Sequence, residues 1–580
     1  MRRFASLGIA LVLAVGTLVP IAHAQAQGKT VVLAFSQEPD TFVGGEGGEY
    51  VTQVVADLVY GNCGTGCLVG IDDQMRPQAE LATDIPTLDN GEAVMVGDGA
   101  DQHLETTFHI RQNATWSDGT PVTADDVIFS WKMSLNAAWP AQAGNDVESK
   151  YANVIAKDTH TVVFQMMSQN QARAAGNVTQ QGPVIHPFYL YGLPDVWLYP
   201  SKRFGPLVDF DPQNSPKVAN LQSSVYGRQP IGAGPYTLDS WDPGVQMVLH
   251  ARADYFRGKP AIDTIIVRGF NTDKETLLSQ LQAGDVQTIG SETLDVSDVD
   301  AINAIPGVKA YVRAGTTVEH LDFNLTNPIL ADKQVRKAIA FAIDKQDLVN
   351  RVLAGQPGLV ANSWIPPISP LFNPDTPGYQ FNPDQARQIL DSDGWTVGSD
   401  GVRVNSSGQR LSFKYQSTNN AIRKKTMPLV KDQLAAVGIE LNIDQMPAQT
   451  WFGKPGPLVQ GTYDVGEYAD VGTQDSGVDV VTKFGSKFAP TAANNFAGQN
   501  FMHYSSSTAD QLIATESGSL VPAARQSAMF PLQLLLADDL PMVTLYYRPN
   551  VTAATNRLAN WQPEYAANGY TWNAWQWDLR

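Results

Sequence analysis

Residues Thr106 to Trp131 read TTFHIRQNATWSDGTPVTADDVIFSW, with three aspartates, Asp118, Asp125 and Asp126, inside nine residues. Either these carboxylates gather for catalysis or metal binding, or they shape the chain. The local signals favour shape. TTFHIR is strand-like, and SDGTP is turn chemistry, with Asp and Gly reversing the chain before Thr-Pro. Thr123 then reads as a helix N-cap with Asp126 three residues on, an Asp version of the capping box. Val122 and Val127 are placed to form a hydrophobic staple across that cap. Asp125 and Asp126 lie in the first turn, where the helix dipole favours negative charge. Val127, Ile128 and Trp131 begin the buried face. The stretch predicts strand, turn and helix, and it leaves each aspartate a structural role.

Outward from it, strand-like and helix-like segments alternate without internal repeats or low-complexity tracts, so the class is α/β or α+β. WDPGVQMVLHA centres a turn on Pro243 and Gly244, followed by alternating Val245, Met247 and Leu249. FNTDKETLLSQLQAGD predicts a helix capped by Asp273, with Leu277, Leu278 and Leu281 on one face, stopped at Gly284. In DKQVRKAIAFAIDKQDLVNRVLAGQP, residues Val335, Ala338, Ile339, Ala342 and Ile343 recur at helical spacing. Asp344 there caps a second helix that ends at Gly355. FNPDQARQILDSDGW begins at Asn382 and Pro383 and stops at Gly394. VKDQLAAVGIELNID is a helix ending at Gly438, followed at once by the alternating strand Ile439, Leu441 and Ile443.

At 580 residues and 43% hydrophobic, the chain can form two or three domains with real cores. Lys+Arg total 40 against 58 Asp+Glu, a formal charge of −18, which argues against nucleic acid or an anionic membrane surface as partner. Neutral or cationic ligands suit that balance. The first residues read as a secretory signal: basic Arg2 and Arg3, apolar residues 4–22, then small-residue cleavage sites at Ala22–Ala24 and Ala24–Ala26. An uncleaved anchor is the alternative. No cysteine near the exit supports a lipid anchor, and no later segment approaches the ~20 apolar residues of a membrane span. The expected location is periplasmic or extracellular. The two cysteines, Cys63 and Cys67, read as a local disulfide staple in an exported chain. Free thiols, a redox pair or half a metal site are the alternatives. A redox pair normally has two intervening residues, not three, and metal would need ligands that do not neighbour the pair.

Enzyme signatures are mostly absent. None of the eight His begins H-E-x-x-H, and there is no G-x-S-x-G, S-x-x-K or phosphate-loop motif. Asp391 and Asp393 in LDSDGW resemble a calcium loop without its third acid and closing Glu. No metal, no cofactor and no catalytic residue is expected. An exported hydrolase with dispersed carboxylates is the alternative from another class.

The opening stretch resembles the signature region of the extracytoplasmic solute-binding proteins of family 5, the oligopeptide-, dipeptide- and nickel-binding components of ABC importers. Further segments resemble that family in order: PIGAGPYTLDSWDPG (Pro230–Gly244), ARADYFRGKPAIDTIIVR, LQAGDVQ, LDFNLTNPILADKQVRKAIAFAIDKQDLV, NPDQARQILDSDGW, QLAAVGIELNI and DDLPMVTLYY. In LQAGDVQ, Gln287 stands where the family usually has Asp.

The resemblance implies an α/β, two-lobed periplasmic-binding-protein fold of type II, cluster C, with an inserted domain and a hinge between lobes. Domain I would comprise 28–72, 200–315 and 546–580, domain II 73–199, and domain III 316–545, after a signal peptide at 1–24. The hinge strands would cross near Thr316–Glu319 and Tyr546–Pro549. The family's peptide binders use an aspartate of domain III against the ligand's α-ammonium. Here GEYADVGTQD places that acid at Asp470, with Asp475 as its neighbour, although Glu467 stands where an aromatic is common. Trp364, Trp451 and Tyr468 are the candidate aromatic lining, with core packing as the alternative for each. A nickel or haem ligand would need His at the cleft, for which His186 and His503 stay open, and nothing pairs them. The implied partners are a short peptide or other small solute (sugar, opine or nickel chelate) and membrane permease subunits, with the protein a monomer. A signalling or adhesion role is the remaining alternative.

Overall fold

The computed structural model describes residues 28–43, 50–63, 67–136, 147–177, 180–194, 196–208, 221, 224–291, 293–472, 479–563 and 569–580. The leader, with its cleavage sites, and Asp475 lie outside the described residues.

The opening stretch forms the expected strand, turn and helix. His103–His109 is a central strand of a four-stranded antiparallel sheet, ordered Ala93–Val96, His103–His109, Thr161–Met166, Tyr151–Asp158. Gly119 takes φ 81 in the turn, and the helix Ala124–Ser134 starts at Thr123. Asp118 accepts from Thr120 N and Oγ1 at 3.0 and 2.6 Å and from Arg203 Nε at 2.6 Å. Asp125 is exposed, whereas Asp126 is buried and ties three segments together. Its carboxylate accepts from Thr123 N at 2.8 Å, Trp116 Nε1 at 3.1 Å, and Ser201 N and Oγ, each at 2.7 Å. Val122 and Val127 are both fully buried in one core with Trp116 and Trp131. The aspartates close a turn, start a helix and anchor a neighbouring segment.

The main sheet has ten strands, in the order Glu440–Met446, Ser412–Thr418, Val465–Val471, Val308–Phe323, Met542–Thr555, Thr288–Ile289, Thr30–Ala34, Thr264–Arg268, Gln246–Ala251, Tyr236–Asp242. Its centre is an antiparallel pair of unusually long strands, Val308–Phe323 with 16 residues and Met542–Thr555 with 14. The neighbours of this pair attach at opposite ends. Within the long pair, Val465–Val471 meets Val308–Phe323 only along Thr317–Phe323, and Thr288–Ile289 meets Met542–Thr555 only at Ala553 and Ala554. The register of the long pair shifts between Ala314 and Val318 and again between Glu319 and His320, so the ladder is irregular midway. Such bulges bend and twist a strand locally.

Helices fall where periodicity placed them. Asp273 caps Lys274–Ala283 by accepting from Thr276 N at 2.8 Å, and Gly284 closes that helix with φ 81, which only glycine adopts without strain. Lys333–Ala342 buries Val335, Ala338, Ile339 and Ala342, and Asp344 caps Lys345–Val352 through Asp347 N at 2.9 Å. Ala421–Ala435 leads to Glu440–Met446, which pairs in parallel with Ser412–Thr418. Val245 differs from expectation: it is 56% exposed, in the turn itself, and the strand begins at Gln246 with Met247 and Leu249 inside. Cys63 and Cys67 are joined by a disulfide.

Candidate functional site

The site grows from the pairing of Val465–Val471 with Thr317–Phe323. Its register sets Val318 opposite Asp470, His320 opposite Tyr468, Asp322 opposite Gly466, Glu319 opposite Ala469 and Leu321 opposite Glu467. Side chains alternate across a strand, and opposed residues share a face. One face of this ribbon therefore carries His320, Asp322, Tyr468 and Asp470, and the other carries Glu319 and Glu467.

On the first face, His320 lies between two carboxylates, with Nδ1 3.0 Å from Asp322 and Nε2 3.0 Å from Asp470. The short helix Val480–Phe484, whose first N–H groups are capped by Asp479, projects Lys483 into the same space. Its Nζ is 3.2 Å from Asp322 Oδ2, 3.1 Å from Asp470 Oδ2, and donates to Tyr468 Oη at 2.6 Å. The Tyr468 hydroxyl donates in turn to Asp322, and its ring packs edge-on against His320. His320, Asp322, Tyr468 and Lys483 are buried, and the Asp470 side chain is only 13% exposed. Burial raises the pKa of Asp470 and Asp322, but the Lys483 and His320 charges outweigh it and hold both carboxylates below their ordinary range. Burial lowers Lys483 and His320, and the same two carboxylates reverse that, leaving both bases raised.

On the second face, Glu319 receives Arg423 Nε at 2.7 Å and Arg548 Nε at 2.8 Å, and Arg423 Nη1 also donates to Thr418 Oγ1 at 2.5 Å. Glu467 receives the Tyr415 hydroxyl, and its Oε1 has no hydrogen-bond partner among the described residues. Burial first, then the Glu319 charge, push the Glu467 pKa well above the usual glutamate range, against Tyr415, Arg423 and Arg548. Glu467 thus does not replace the aromatic expected there; it points to the face opposite Tyr468.

Trp451, from the helix Ala448–Phe452, is fully buried with Leu458, Tyr463 and Tyr468. A Cβ on Gly466 would stand 3.1 Å from Trp451 Cζ2 and 3.2 Å from the Tyr463 ring, so that glycine makes room for the aromatic layer. Trp364 is buried against Phe484, behind the Lys483 helix, and lines a cavity with Lys345, Asn362, Tyr379 and Gln533. Lys345 Nζ donates to Ala361 O at 2.9 Å, and burial brings its pKa down to about 7. Tyr468 thus shares its face with Asp470 and packs with Trp451, whereas Trp364 belongs to a separate cluster with Phe484. His186 caps the turn Pro187–Tyr191, and His503 lies beside Gly461. Among the described residues no group of three or more His, Cys, Asp or Glu is arranged to hold a metal ion.

His320, Asp322, Lys483, Glu319, Arg423 and Arg548 were not anticipated from sequence. The run VEHLDF carried a signal, because three ionisable residues interrupt a strand that is otherwise apolar. Lys483 in VVTKFG carried none.

The architecture is that of the two-lobed solute-binding proteins. The chain superimposes on the oligopeptide-binding protein AppA from Bacillus subtilis, solved with a nonapeptide, at a TM-score of 0.65 and 23% identity, covering 96% of this chain and 99% of that one. An oligopeptide-binding protein from Thermus thermophilus solved with a pentapeptide gives 0.65 and 23%, covering 95% and 96%. HbpA2 from Haemophilus parasuis gives 0.74 and 19%, covering 95% and 100%. At these identities the likeness shows the fold. In sequence, AppA of Bacillus subtilis is 25% identical over 523 residues, 88% of this chain and 85% of that protein. The profile of the bacterial extracellular solute-binding proteins, family 5 (middle), matches residues 77–488, and the chain belongs to that family. No helix among the described residues is long and apolar enough to cross a membrane.

Proposed function

We propose that this protein is the exported solute-binding component of an ABC importer, that its solute is a short peptide, and that it delivers the peptide to membrane permease subunits. The observation that carries the reading is the similarity to AppA, an oligopeptide-binding protein, along 88% of this chain. The long central strands support a hinge near Thr316–Glu319 and Tyr546–Pro549, where the ladder is irregular and few strands cross. Domain I (28–72, 200–315, 546–580) and the inserted domain II (73–199) then form one lobe, and domain III (316–545) the other. The ribbon bearing Tyr468 and Asp470 faces the ligand from domain III, with Trp451 and Trp364 supporting it from behind. Asp475 follows on the same segment. Ligand binding favours the closed state, and the closed state meets the permease. The leader is removed near Ala24–Ala26, and the mature protein works as a monomer without turning its ligand over.

Native mass spectrometry of the protein as purified tests this, with peptide masses expected on a fraction of the molecules. Calorimetry across a mixed peptide library should then give heat with unchanged peptides recovered. Heat with an oligosaccharide and none with peptides would refute the peptide reading, and recovery of cleaved peptides would refute the binder.

A further inference from the structure

The Asp470 carboxylate is not free to meet a ligand cation. Asp470 Oδ2 stands 3.1 Å from Lys483 Nζ and 3.0 Å from His320 Nε2, and its Oδ1 lies 3.5 Å from the same Nζ. Lys483, 2% exposed, has no solvent to retreat into. Its three N–H groups face three oxygens within 3.2 Å, those of Asp322, Tyr468 and Asp470. His320 has a carboxylate against each ring nitrogen and is fully buried. The cluster sets two carboxylates against one ammonium and one imidazole whose pKa those carboxylates raise. A second ammonium arriving at Asp470 would meet Lys483 as a like charge, or would displace it from Asp470 and leave it with Asp322 as its one carboxylate, shared with His320, so that a buried cluster carries an added cation without an added anion, which is unfavourable.

We propose that Lys483 is a specificity-determining residue: its ammonium occupies the place at Asp470 that a ligand's amino terminus would take, so this protein binds peptides blocked at the amino end as well as it binds free ones. The carboxylate is present and charged, because Lys483 and His320 more than reverse the effect of burial on it, but its charge is spent within the fold. The ligand is then read by its backbone and by its remaining side chains, a mode that tolerates varied sequence. N-acylated and cyclic peptides fall within the accepted class.

The proposal rests on the peptide reading, and one experiment separates the two. Calorimetry at neutral pH compares peptides of one sequence with a free and an acetylated amino terminus. Affinities within about threefold, well under the tenfold that 1.4 kcal/mol represents, support the proposal. A larger loss on acetylation overturns it while leaving the peptide reading intact, and no binding of either form removes both. The Lys483→Met variant assigns the effect. With Asp470 left to His320 alone, it should come to prefer the free amine by about tenfold or more. If it folds and binds both forms alike, Lys483 is not the determinant. Should it fail to fold, the wild-type comparison still decides.

Discussion

The two faces of the ribbon formed by Thr317–Phe323 and Val465–Val471 bury charge in opposite ways. On the Asp322 face, each carboxylate lies between two cations, and every ion has a counter-ion within 3.2 Å. On the Glu467 face, two carboxylates share two arginines, Glu319 takes both, and Glu467 is driven toward its protonated form. The first face is charge-balanced and closed. The second pairs both arginines with Glu319, and Arg548, 28% exposed, reaches toward solvent. The same backbone ladder accommodates both because alternation keeps the two sets apart. Buried ions persist where each is paired, and where pairing runs short a proton neutralises the remainder. A chain with formal charge −18 therefore matches its buried carboxylates at this ribbon with Lys483, His320, Arg423 and Arg548 rather than leaving them as a free anionic surface.

The largest break in this comparison should come from Asp322→Asn. It removes the carboxylate shared by His320, Lys483 and Tyr468, and a loss of about 3–5 kcal/mol is expected in denaturant unfolding. Asp470→Asn, at the less buried end of the same face, should lose about 1.5–3 kcal/mol, the range for hydrogen bonds to charged groups. Gly466→Ala forces a methyl group against Trp451 and Tyr463 and should cost about 1–3 kcal/mol, with a changed tryptophan fluorescence spectrum. Glu467→Gln is the counterpart on the other face. It mimics the protonated acid, so a change of less than about 1 kcal/mol, or a gain, is expected at neutral pH. If Glu467→Gln destabilises as much as Asp470→Asn, the contrast between the faces is wrong.

Acid and base titration sharpen it further. Asp322 and Asp470 have folded pKa values below their unfolded ones, so their contribution is complete above the unfolded carboxylate range, about pH 4, and is lost as pH falls through the folded values. Glu467 has the opposite sign. The unfolded chain releases its proton near pH 4 while the fold keeps it, so Glu467 lowers stability as pH rises from there to its folded pKa. Against wild type, Glu467→Gln should therefore gain relative stability as pH climbs, and Asp470→Asn should lose its deficit in strong acid. His320, raised in the fold, adds stability that is complete below about pH 6.5 and is lost as pH rises through its folded value. Unfolding curves from acid to mildly basic pH check all three signs.

Much of the scaffold was legible from residue order. The capping residues Thr123, Asp273, Asp344 and Asn382 and the stops at Gly284 and Gly394 act within one or two turns, so short-range spacing reveals them. Asp126 was legible as a cap, but its bonds to Trp116 and Ser201 were not, because Ser201 comes from 75 residues away. Asp470 was legible only through a resemblance, and its partners were hidden for the same reason. His320 precedes it by 150 residues in an apolar strand, and Lys483 sits on a five-residue helix with no distinctive pattern.

The sequence by itself determined the element boundaries, the buried faces and the family, because periodicity, capping and turn chemistry are local and recur along the chain in a fixed order. Only the tertiary structure decided what Asp470 does. Its charge state and freedom depend on which cations the register of Thr317–Phe323 and the docking of Val480–Phe484 bring within 3.2 Å. Electrostatic energy inside a protein is set by distance and burial, and neither can be read from positions along a chain.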